Sequence, residues 1–332
     1  MSELRYNLIS RDWVIISSER AKRPSDFVKQ KTPTPPLPER KDNCPFCPGN
    51  EATCGEETFR LGSGKAWKTR SIYNKFPALF HSVEEERKTS GSYKWISGFG
   101  VHEVIVENPL HNTAIALMPD EEVCNVVRTY LSRYKSIQED KRIKAITIFK
   151  NHGPAAGCSQ EHPHSQLIAT PIVPPNIRSR VENAVEYFDV TGICILCQML
   201  NEELAEKKRL VLETDKFVSF IPYASFSPFV MWIVPRRHMG SFDHISEDEV
   251  CDLARSLKLT LGKLYYGLDN PDFNFTIRSI PVREKGNESF HWHINVMPRL
   301  SQPAGFELGS GIFINASSPE DSAEFLRKIT CK

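Results

Sequence analysis

The chain contains the same order of elements twice, and this internal repeat limits its possible folds more than any other feature. Each copy begins with a Cys-x-x-Cys pair, first at Cys44 and Cys47 and then at Cys194 and Cys197. A strand-like run ending near a histidine follows, and an acidic segment, MPDEEV or ISEDEV, then opens a helical pattern. A further β-rich run leads to a His-x-His motif, HPHSQ or HWHIN. The repeat therefore predicts two related units that arose by duplication.

The periodicity within each copy predicts several strands around one long helix. Residues 143–149 and 229–234 are short β-branched and aromatic runs, whereas Val123, Val126 and Val127 recur at helical spacing. In ISEDEV a serine precedes a glutamate by three residues, which is the pattern of a capping box. We therefore expect an α+β fold of two tandem domains, each an antiparallel sheet with helices packed on it.

A proline-rich segment, PIVPPN, lies between the two copies at residues 171–176 and is the predicted join. We place an N-terminal domain at residues 1–172 and a C-terminal domain at residues 173–332. Two further segments, KTPTPPLPE at 31–39 and SVEEERKTSGS at 82–92, have the composition of loops.

Charge and composition exclude several classes of protein. A formal net charge of +1 gives no broad basic field, which argues against a nucleic-acid-binding surface. The longest apolar stretch, PFVMWIVP, is far shorter than the ~20 residues of a membrane helix, and the amino terminus lacks a secretory pattern. Nine cysteines with two Cys-x-x-Cys pairs favour metal binding in a reducing compartment over a disulfide framework. We therefore expect a cytoplasmic protein without membrane partners.

The cysteine pairs and the histidines at matching places predict two tetrahedral metal sites. Two thiolates on a tight turn are half of the usual zinc shell, and two imidazoles complete it. In the first copy His162 follows His111 by 51 residues, and in the second His291 follows His238 by 53. Four protein ligands leave no open position, so both zinc ions are expected to be structural. Iron in the second site stays an alternative.

Other interpretations of the cysteines stay open at this stage. Thioredoxin-like redox chemistry is the rival for a Cys-x-x-Cys pair, although neither pair opens a βαβ unit. Cys54 competes as a ligand of the first site. The sequence shows no partner for Cys124, Cys158, Cys251 and Cys331, and we expect Cys124 and Cys251 to lie in the core because they fall on helical faces.

The second histidine of HPHSQ is free for chemistry if the first binds metal. On an extended segment His162, His164 and Gln166 point the same way, and Pro163 stiffens the two histidines relative to each other. The preceding loop, KNHGPAAGCSQE at 150–161, is rich in small residues whose backbone amides can approach a phosphate. Neutral imidazole attacks phosphorus to form a phosphoramidate. His164 is therefore the predicted nucleophile, and His81, His102 and His244 are expected to be structural.

HPHSQ and the loop before it resemble the active-site segment of the galactose-1-phosphate uridylyltransferase branch of the histidine-triad superfamily. The similarity extends over nearly the whole chain and includes SSERAKRPSDF, CPFCPGNE, NKFPAL and HWHINVMP. Within the branch, GICILCQ, PYASFSPFVMWIVPRRH and GFELGSGIFINASSPED resemble the adenylyl-transferring subgroup, the ADP-glucose phosphorylases. Lys75 replaces the aspartate of the uridylyltransferase nucleoside pocket, whereas His293 restores a His-x-His of that subgroup. The resemblance thus leaves uridylyl transfer as the alternative.

The resemblance implies a homodimer and a ping-pong reaction between a nucleotide sugar, a sugar 1-phosphate and inorganic phosphate. His164 would attack the α-phosphorus and expel a sugar 1-phosphate, and Gln166 would donate to the phosphoryl oxygens. Arg20 and Arg23 would meet the acceptor's phosphate, for which a planar guanidinium is well suited. The implied contacts to the nucleoside and the phosphates come from Asn74, Phe76, Asn151, Gly157, Cys158 and Ser159.

Gln166 stands where histidine-triad hydrolases carry a third histidine, and it can hydrogen-bond but not exchange a proton with water. This favours a transferase over the rival hydrolase. HWHIN lacks the small-residue loop ahead of it, so the second domain is predicted to be non-catalytic. A zinc-ribbon binding module is a third interpretation, but acidic and apolar residues, rather than basic and aromatic clusters, surround the cysteine pairs.

Overall fold

A computed structural model describes residues 2–17, 24–27, 36–64, 66–284 and 288–331. Arg20 and Arg23 lie outside the described residues. The strands are β1 (Glu3–Tyr6), β2 (Trp13–Ile16), β3 (Glu57–Ser63), β4 (Ala66–Tyr73), β5 (Arg87–Ser90), β6 (Tyr93–Ile96), β7 (Val101–Val106), β8 (Ala145–His152), β9 (His164–Thr170), β10 (Leu210–Glu213), β11 (Phe217–Phe220), β12 (Met231–Pro235), β13 (Phe273–Arg278), β14 (His293–Pro298) and β15 (Phe313–Asn315). The helices are α1 (Asp120–Ile137), α2 (Pro175–Thr191), α3 (Ile195–Glu206), α4 (Glu247–Gly267), α5 (Gly305–Ser310) and α6 (Pro319–Lys328).

A ten-stranded antiparallel sheet forms the centre of the molecule, in the order β10-β11-β12-β14-β13-β8-β9-β7-β4-β3. The two copies of the repeat meet where β8 pairs with β13. This pairing runs from Ile148 opposite Ile277 to His152 opposite Phe273. The predicted α+β class with antiparallel sheets is confirmed. Pairing between the copies joins their two sheets into one, which the repeat alone did not predict.

The helices α1 and α4 occupy equivalent places in the two copies and pack against each other on one face of the sheet. Both carry acidic residues in their first turns, which favours the helix N-terminus electrostatically. The predicted capping box is present at α4, where Ser246 accepts from the Glu249 amide and Glu249 accepts from the Ser246 amide. Buried residues of both copies form one hydrophobic cluster beneath these helices.

The expectation of a single long helix in each copy is wrong for the second copy, which also contains α2, α3, α5 and α6. The helix α2 begins at Pro175, in the predicted join, because proline at the first helical position gives up no intrahelical hydrogen bond. The helix α3 starts directly after Cys194, within the cysteine pair. Both helices cover the opposite face of the sheet and bury a second apolar cluster there.

Two local expectations are also corrected. The segment 82–92 is not all loop, because residues from Arg87 onwards form the hairpin β5–β6. Cys124 and Cys251 form a disulfide between α1 and α4, although neither was expected to have a partner. Cys124 is buried as predicted, but Cys251 is exposed at the edge of the helix–helix contact. Their separation of 127 residues hides the pairing from any local pattern.

No helix among these described ranges has both the length and the apolar character needed to cross a membrane.

Candidate active site and metal centres

The first cysteine pair and the two histidines assigned to it converge on one buried point. Cys44 Sγ lies 3.7 Å from His162 Nδ1, and Cys47 Sγ lies 3.5 Å from His111 Nδ1 and 3.6 Å from His162 Nδ1. The four ligand atoms all lie within 4.8 Å of one another. In a tetrahedral zinc shell, bonds of about 2.3 Å to sulfur and about 2.0 Å to nitrogen separate sulfur from nitrogen by roughly 3.6 Å. The spacing therefore fits a tetrahedral ion.

The surroundings of His162 also fit a metal ligand. Its Nε2 lies 2.8 Å from the carbonyl oxygen of Asn108, to which the Nε2–H donates, so the lone pair is on Nδ1 beside the thiols. Burial lowers the pKa of His162 to about 4, which keeps the ring neutral at neutral pH. Cys54 lies outside this ligand group, because its thiol donates to the carbonyl oxygen of Pro45 at 2.8 Å.

The second set, Cys194, Cys197, His238 and His291, forms an equivalent cluster. Cys197 Sγ lies 3.2 Å from His238 Nδ1 and 3.3 Å from His291 Nδ1. Cys194 is the residue directly before α3, at the helix N-terminus, where the helix dipole favours a thiolate. Hydrogen bonds from Cys197 and both histidines hold the pKa of Cys194 well below its ordinary value. Two sulfurs and two imidazoles at these distances suit a tetrahedral ion.

His164 lies next to the first cluster with one nitrogen held and the other free to react. Its Nδ1–H donates to the carbonyl oxygen of His162 at 2.8 Å, so the lone pair resides on Nε2. The ring is buried with 6% of its surface exposed, and Phe46 packs 5.5 Å from its centre. Burial, followed by the positive charge of Lys150, lowers the pKa of His164. This arrangement gives a neutral, fixed imidazole suited to nucleophilic attack.

A buried ionic network beneath His164 was not predicted from the sequence. Lys150 donates through Nζ to Glu107 at 2.6 Å and to the carbonyl oxygen of His164 at 2.9 Å. Ser165 donates to the same Glu107 carboxylate at 2.5 Å, and Tyr130 donates to it at 3.1 Å. Each of these groups is at most 3% exposed. The network fixes the backbone at His164. Its members come from the end of β7, from α1, β8 and β9, so no sequence spacing indicates it.

Gln166 is oriented by His102, which was expected to be only structural. The amide of Ala78 donates to His102 Nδ1 at 3.1 Å, so the proton of this ring is on Nε2. That Nε2–H donates to Gln166 Oε1 at 2.8 Å. The oxygen of the Gln166 amide is therefore satisfied within the protein, and its NH₂ group is left to donate to another acceptor.

Asn151 is held in a similar way on β8. Asn274 donates to Asn151 Oδ1 at 2.8 Å and to the carbonyl oxygen of Ala156 at 2.9 Å, which leaves the Asn151 amide nitrogen as a donor. In the strand register Phe149 pairs with Gln166, and Asn151 lies two residues further along, towards His164. The predicted donors Asn151 and Gln166 thus flank His164, the predicted nucleophile.

The small-residue loop after β8 turns sharply at two glycines with left-handed backbone, Gly153 and Gly157. At Gly153 an added Cβ would lie 2.1 Å from Asp272 Oδ1, so the close approach of that carboxylate requires glycine. The amide of Gly157 donates to Pro154 and that of Cys158 to Gly153, so both bonds hold the loop together. Ser159 is exposed at the end of the loop.

The predicted nucleoside residues lie at the end of β4. Asn74 donates its backbone amide to His102 at 2.9 Å and accepts from the amide of Phe76 through Oδ1 at 2.9 Å. Its Nδ2 lies 3.1 Å from His102 Nε2, which places it beside the Gln166 contact. The Phe76 side chain is 83% exposed and offers a free aromatic face.

Comparison with known proteins gives matches over both copies of the repeat. The model of the galactose-1-phosphate uridyl transferase N-terminal domain matches residues 1–174, and that of the C-terminal domain matches residues 180–305. ADP-glucose phosphorylase from Arabidopsis thaliana is 37% identical over 334 residues, with 99% of this chain and 93% of that protein covered. Galactose-1-phosphate uridylyltransferase from Thermotoga maritima is 28% identical over 338 residues, with 99% and 98% covered.

A solved structure extends the likeness to three dimensions. The crystal structure of an ADP-glucose phosphorylase from Arabidopsis thaliana with bound ADP-glucose superimposes with a TM-score of 0.84. It is 33% identical in sequence, and the match covers 100% of both chains.

Proposed function

This chain belongs to the galactose-1-phosphate uridyl transferase family, and we propose that its nucleotidyl transfer proceeds through a covalent intermediate on His164. Its relatives are nucleotidyltransferases, in agreement with the enzyme class predicted from the sequence. The observation that carries the proposal is the orientation of His164, whose Nδ1–H is bound to the His162 carbonyl while Nε2 keeps its lone pair. A nucleophile held in one orientation reacts with little loss of entropy.

In the first half-reaction Nε2 of His164 attacks the α-phosphorus of a nucleotide sugar. A phosphorus–nitrogen bond forms, and the bond from phosphorus to the sugar phosphate oxygen breaks, so the electron pair leaves with the sugar 1-phosphate. The imidazole gains positive charge, which the Nδ1–H bond to the His162 carbonyl stabilises. In the second half-reaction an oxygen of the acceptor phosphate attacks the same phosphorus, and the electron pair returns to Nε2. No net proton transfer is needed.

Gln166 and Asn151 would stabilise charge on the non-bridging oxygens of the transferred phosphoryl group. Each amide oxygen is already bound within the protein, to His102 and Asn274 respectively, so each NH₂ group is aimed without reorganisation. Backbone and side-chain groups of Gly157, Cys158 and Ser159 are proposed to contact the remaining phosphate oxygens. Hydrolysis would be assisted by a side chain that can take a proton from the attacking water, and glutamine cannot do so.

We propose adenylyl transfer from ADP-glucose to phosphate, with release of glucose 1-phosphate. The support is the full-length likeness to an ADP-glucose phosphorylase and to its structure with bound ADP-glucose. Asn74 and the exposed ring of Phe76 would contact the nucleoside. Uridylyl transfer to a hexose 1-phosphate is the second candidate, because uridylyltransferases match the chain over similar lengths.

Zinc is the ion proposed for both Cys₂His₂ sets, since two thiolates and two imidazoles in tetrahedral array suit it best. With four protein ligands each ion would act structurally rather than bind substrate. In the first site the ion would hold His162 and, through the His162 carbonyl, the ring of His164. Iron in the second site stays an alternative that metal analysis of the purified protein resolves.

Residues 1–172 are proposed as the catalytic domain and residues 173–332 as a non-catalytic partner domain. A homodimer would allow Arg20 and Arg23 of one chain to bind the acceptor phosphate in the other. The roles of Arg20 and Arg23 depend on the resemblance of the ERAKRP segment to the family.

The test is to mix the protein separately with ADP-glucose, UDP-glucose and GDP-glucose without acceptor and to measure the intact mass. An added AMP supports the proposal, and an added UMP alone supports the uridylyl alternative. Free nucleotide without any adduct would overturn both in favour of a hydrolase. His164→Gly should abolish the adduct, whereas the matched control His244→Gly, at an exposed histidine outside the site, should keep it.

A further inference from the structure

The second copy of the repeat contains residues that correspond to the catalytic set but differ from it in charge. In the first copy Gln166 pairs with Phe149, and in the second Asn295 pairs with Thr276. In the first copy His164 lies two residues before Gln166, and Asn151 lies two residues after Phe149. In the second copy His293 lies two residues before Asn295, and Arg278 lies two residues after Thr276. Arg278 thus occupies the place of Asn151, which is proposed to donate a hydrogen bond to phosphate, and it pairs with His293 in the sheet.

The amide of Asn295 is oriented as that of Gln166 is. Trp232 donates through Nε1 to Asn295 Oδ1 at 2.9 Å, so the amide nitrogen of Asn295 faces away from that bond. This nitrogen is buried and has no hydrogen-bond partner among the described residues. Nη1 of Arg180 is in the same state. Buried donors without an acceptor cost free energy, which indicates that an acceptor belongs here.

Two guanidinium groups meet near these donors without a carboxylate bound to either. Within the described residues Arg180 donates only through Nε, to Asn176 at 2.8 Å, and Arg278 forms no ion pair or side-chain hydrogen bond. Burial and, after it, the charge of Arg180 lower the pKa of Arg278 to about 9. Asp12 is the acidic group that acts on Arg180, and it lies beyond ion-pair distance. Two like charges in a desolvated place are stabilised by a bound anion.

A cavity of about 220 Å³ is lined by both arginines and by aromatic side chains. Trp232, Phe226 and Phe313 provide apolar surface, and Asn7, Ser10 and Asp12 provide polar groups at the other wall. This volume holds a phosphate group with a sugar attached. Arginine is the side chain that best matches phosphate oxygens, and polar groups beside aromatic rings suit a ring that carries hydroxyls.

We propose that this cavity is a second binding site, distinct from the one at His164, for a phosphate monoester of a sugar or nucleoside. Arg180 and Arg278, which both line the cavity, bind the phosphate group. The sugar contacts Trp232 and Phe313. The site binds without transferring the group, since Arg278 replaces the neutral asparagine of the catalytic set. It is independent of which nucleotide the first site transfers.

Equilibrium dialysis of the full-length protein with radiolabelled inorganic phosphate, glucose 1-phosphate and AMP tests the proposal. The wild type should bind one more molecule of a monoester per chain than Arg278→Met does. Loss of charged hydrogen bonds worth about 1.5–3 kcal/mol corresponds to roughly 10- to 150-fold weaker binding at this site. Arg278→Lys should lie between the two, and Arg87→Met, at an exposed arginine of β5, should behave as the wild type.

The three ligands separate the possible sources of the phosphate group. Tighter binding of glucose 1-phosphate or AMP than of inorganic phosphate supports a monoester site. The tighter of the two ligands shows whether the phosphate is attached to a sugar or to a nucleoside. Equal stoichiometry in the wild type and Arg278→Met would overturn the proposal. If Arg278→Met does not fold, wild-type crystals soaked in tungstate decide, because an anomalous peak between Arg180 and Arg278 supports the site and its absence rejects it.

Discussion

Reactivity at the single-residue scale depends on which nitrogen of each histidine carries the proton. In His162 and His164 the proton is fixed by a backbone carbonyl, but on opposite nitrogens, Nε2 in the first and Nδ1 in the second. One ring therefore presents Nδ1 to the proposed metal site, and the other leaves Nε2 free for the proposed attack on a substrate. His102 adds a third fixed tautomer, which points the NH₂ group of Gln166 outward. The proton is thus on Nε2 in two of the three rings and on Nδ1 in the other, and we propose a different role for each ring.

Replacing His102 by leucine should slow formation of the nucleotidyl adduct without unfolding the protein. Gln166 would lose the donor that fixes its oxygen and could turn its carbonyl towards the phosphoryl oxygens. A misaimed donor at such a site costs on the order of 10- to 100-fold in kcat, and KM should change much less.

Rapid-quench measurement of adduct formation, with kcat and KM determined separately, checks this expectation. His81→Phe is the matched control, because the His81 ring stacks on Tyr73 at 3.9 Å and the substitution keeps that contact. An equal fall in rate for both variants, or a change confined to KM, would contradict the role assigned to His102.

The elements of the fold were predicted where their pattern is local. The β-branched runs became β8 and β12, and Ser246 and Glu249 formed the capping box at the start of α4. The helices α2 and α3 were missed because their sequences show no strong helical spacing of apolar residues. Their buried side chains pack against the sheet. The Lys150–Glu107 ion pair and the Cys124–Cys251 disulfide join residues 43 and 127 positions apart, and sequence spacing does not indicate such contacts.

The capping box of α4 should contribute to stability in a pH-dependent way. Hydrogen bonds from Arg237 and from Ser246 lower the pKa of Glu249 to about 2, below its ordinary value of 4.5. A carboxylate with a depressed pKa stabilises the fold above its unfolded pKa and loses that effect as the pH falls through its folded pKa. Glu249→Gln should therefore lower the free energy of unfolding by about 1–2 kcal/mol at pH 7.

Urea unfolding of the wild type and Glu249→Gln at several pH values measures this contribution. The difference between the two proteins should shrink as the pH falls from 4.5 towards 2. Asp248→Asn, in the same first turn, is the control for charge alone and should change stability by less. A difference that persists unchanged at low pH would rule out the carboxylate as its cause.

At the scale of the whole molecule, the two copies share one sheet and one core but have diverged in chemistry. Both copies keep a Cys₂His₂ group that could hold a metal ion. In the second copy Arg278, rather than a neutral asparagine, lies opposite the second histidine, His293. The repeat predicted both ligand sets correctly as groups, because each set lies within one copy. It did not predict the continuous sheet, since the pairing of β8 with β13 is a contact between copies.

The two metal centres should affect the reaction unequally. Cys44→Ser and Cys197→Ser should each reduce the metal content by about one ion per chain, and both should lower the melting temperature. Only Cys44→Ser should strongly reduce the adduct, because His162 holds the carbonyl that positions His164. Elemental analysis with intact mass on the same samples checks this, and equal loss of adduct in both variants would contradict it.

The most direct test of the central claim is to locate and time the covalent intermediate in a single turnover. Wild-type protein mixed with a slight excess of ADP-glucose should carry one nucleotidyl group per chain, and fragmentation should map it to His164 within residues 162–166. Added phosphate should discharge the group at least as fast as steady-state turnover. Turnover without this adduct, or an adduct on another residue that discharges at the catalytic rate, would contradict the account.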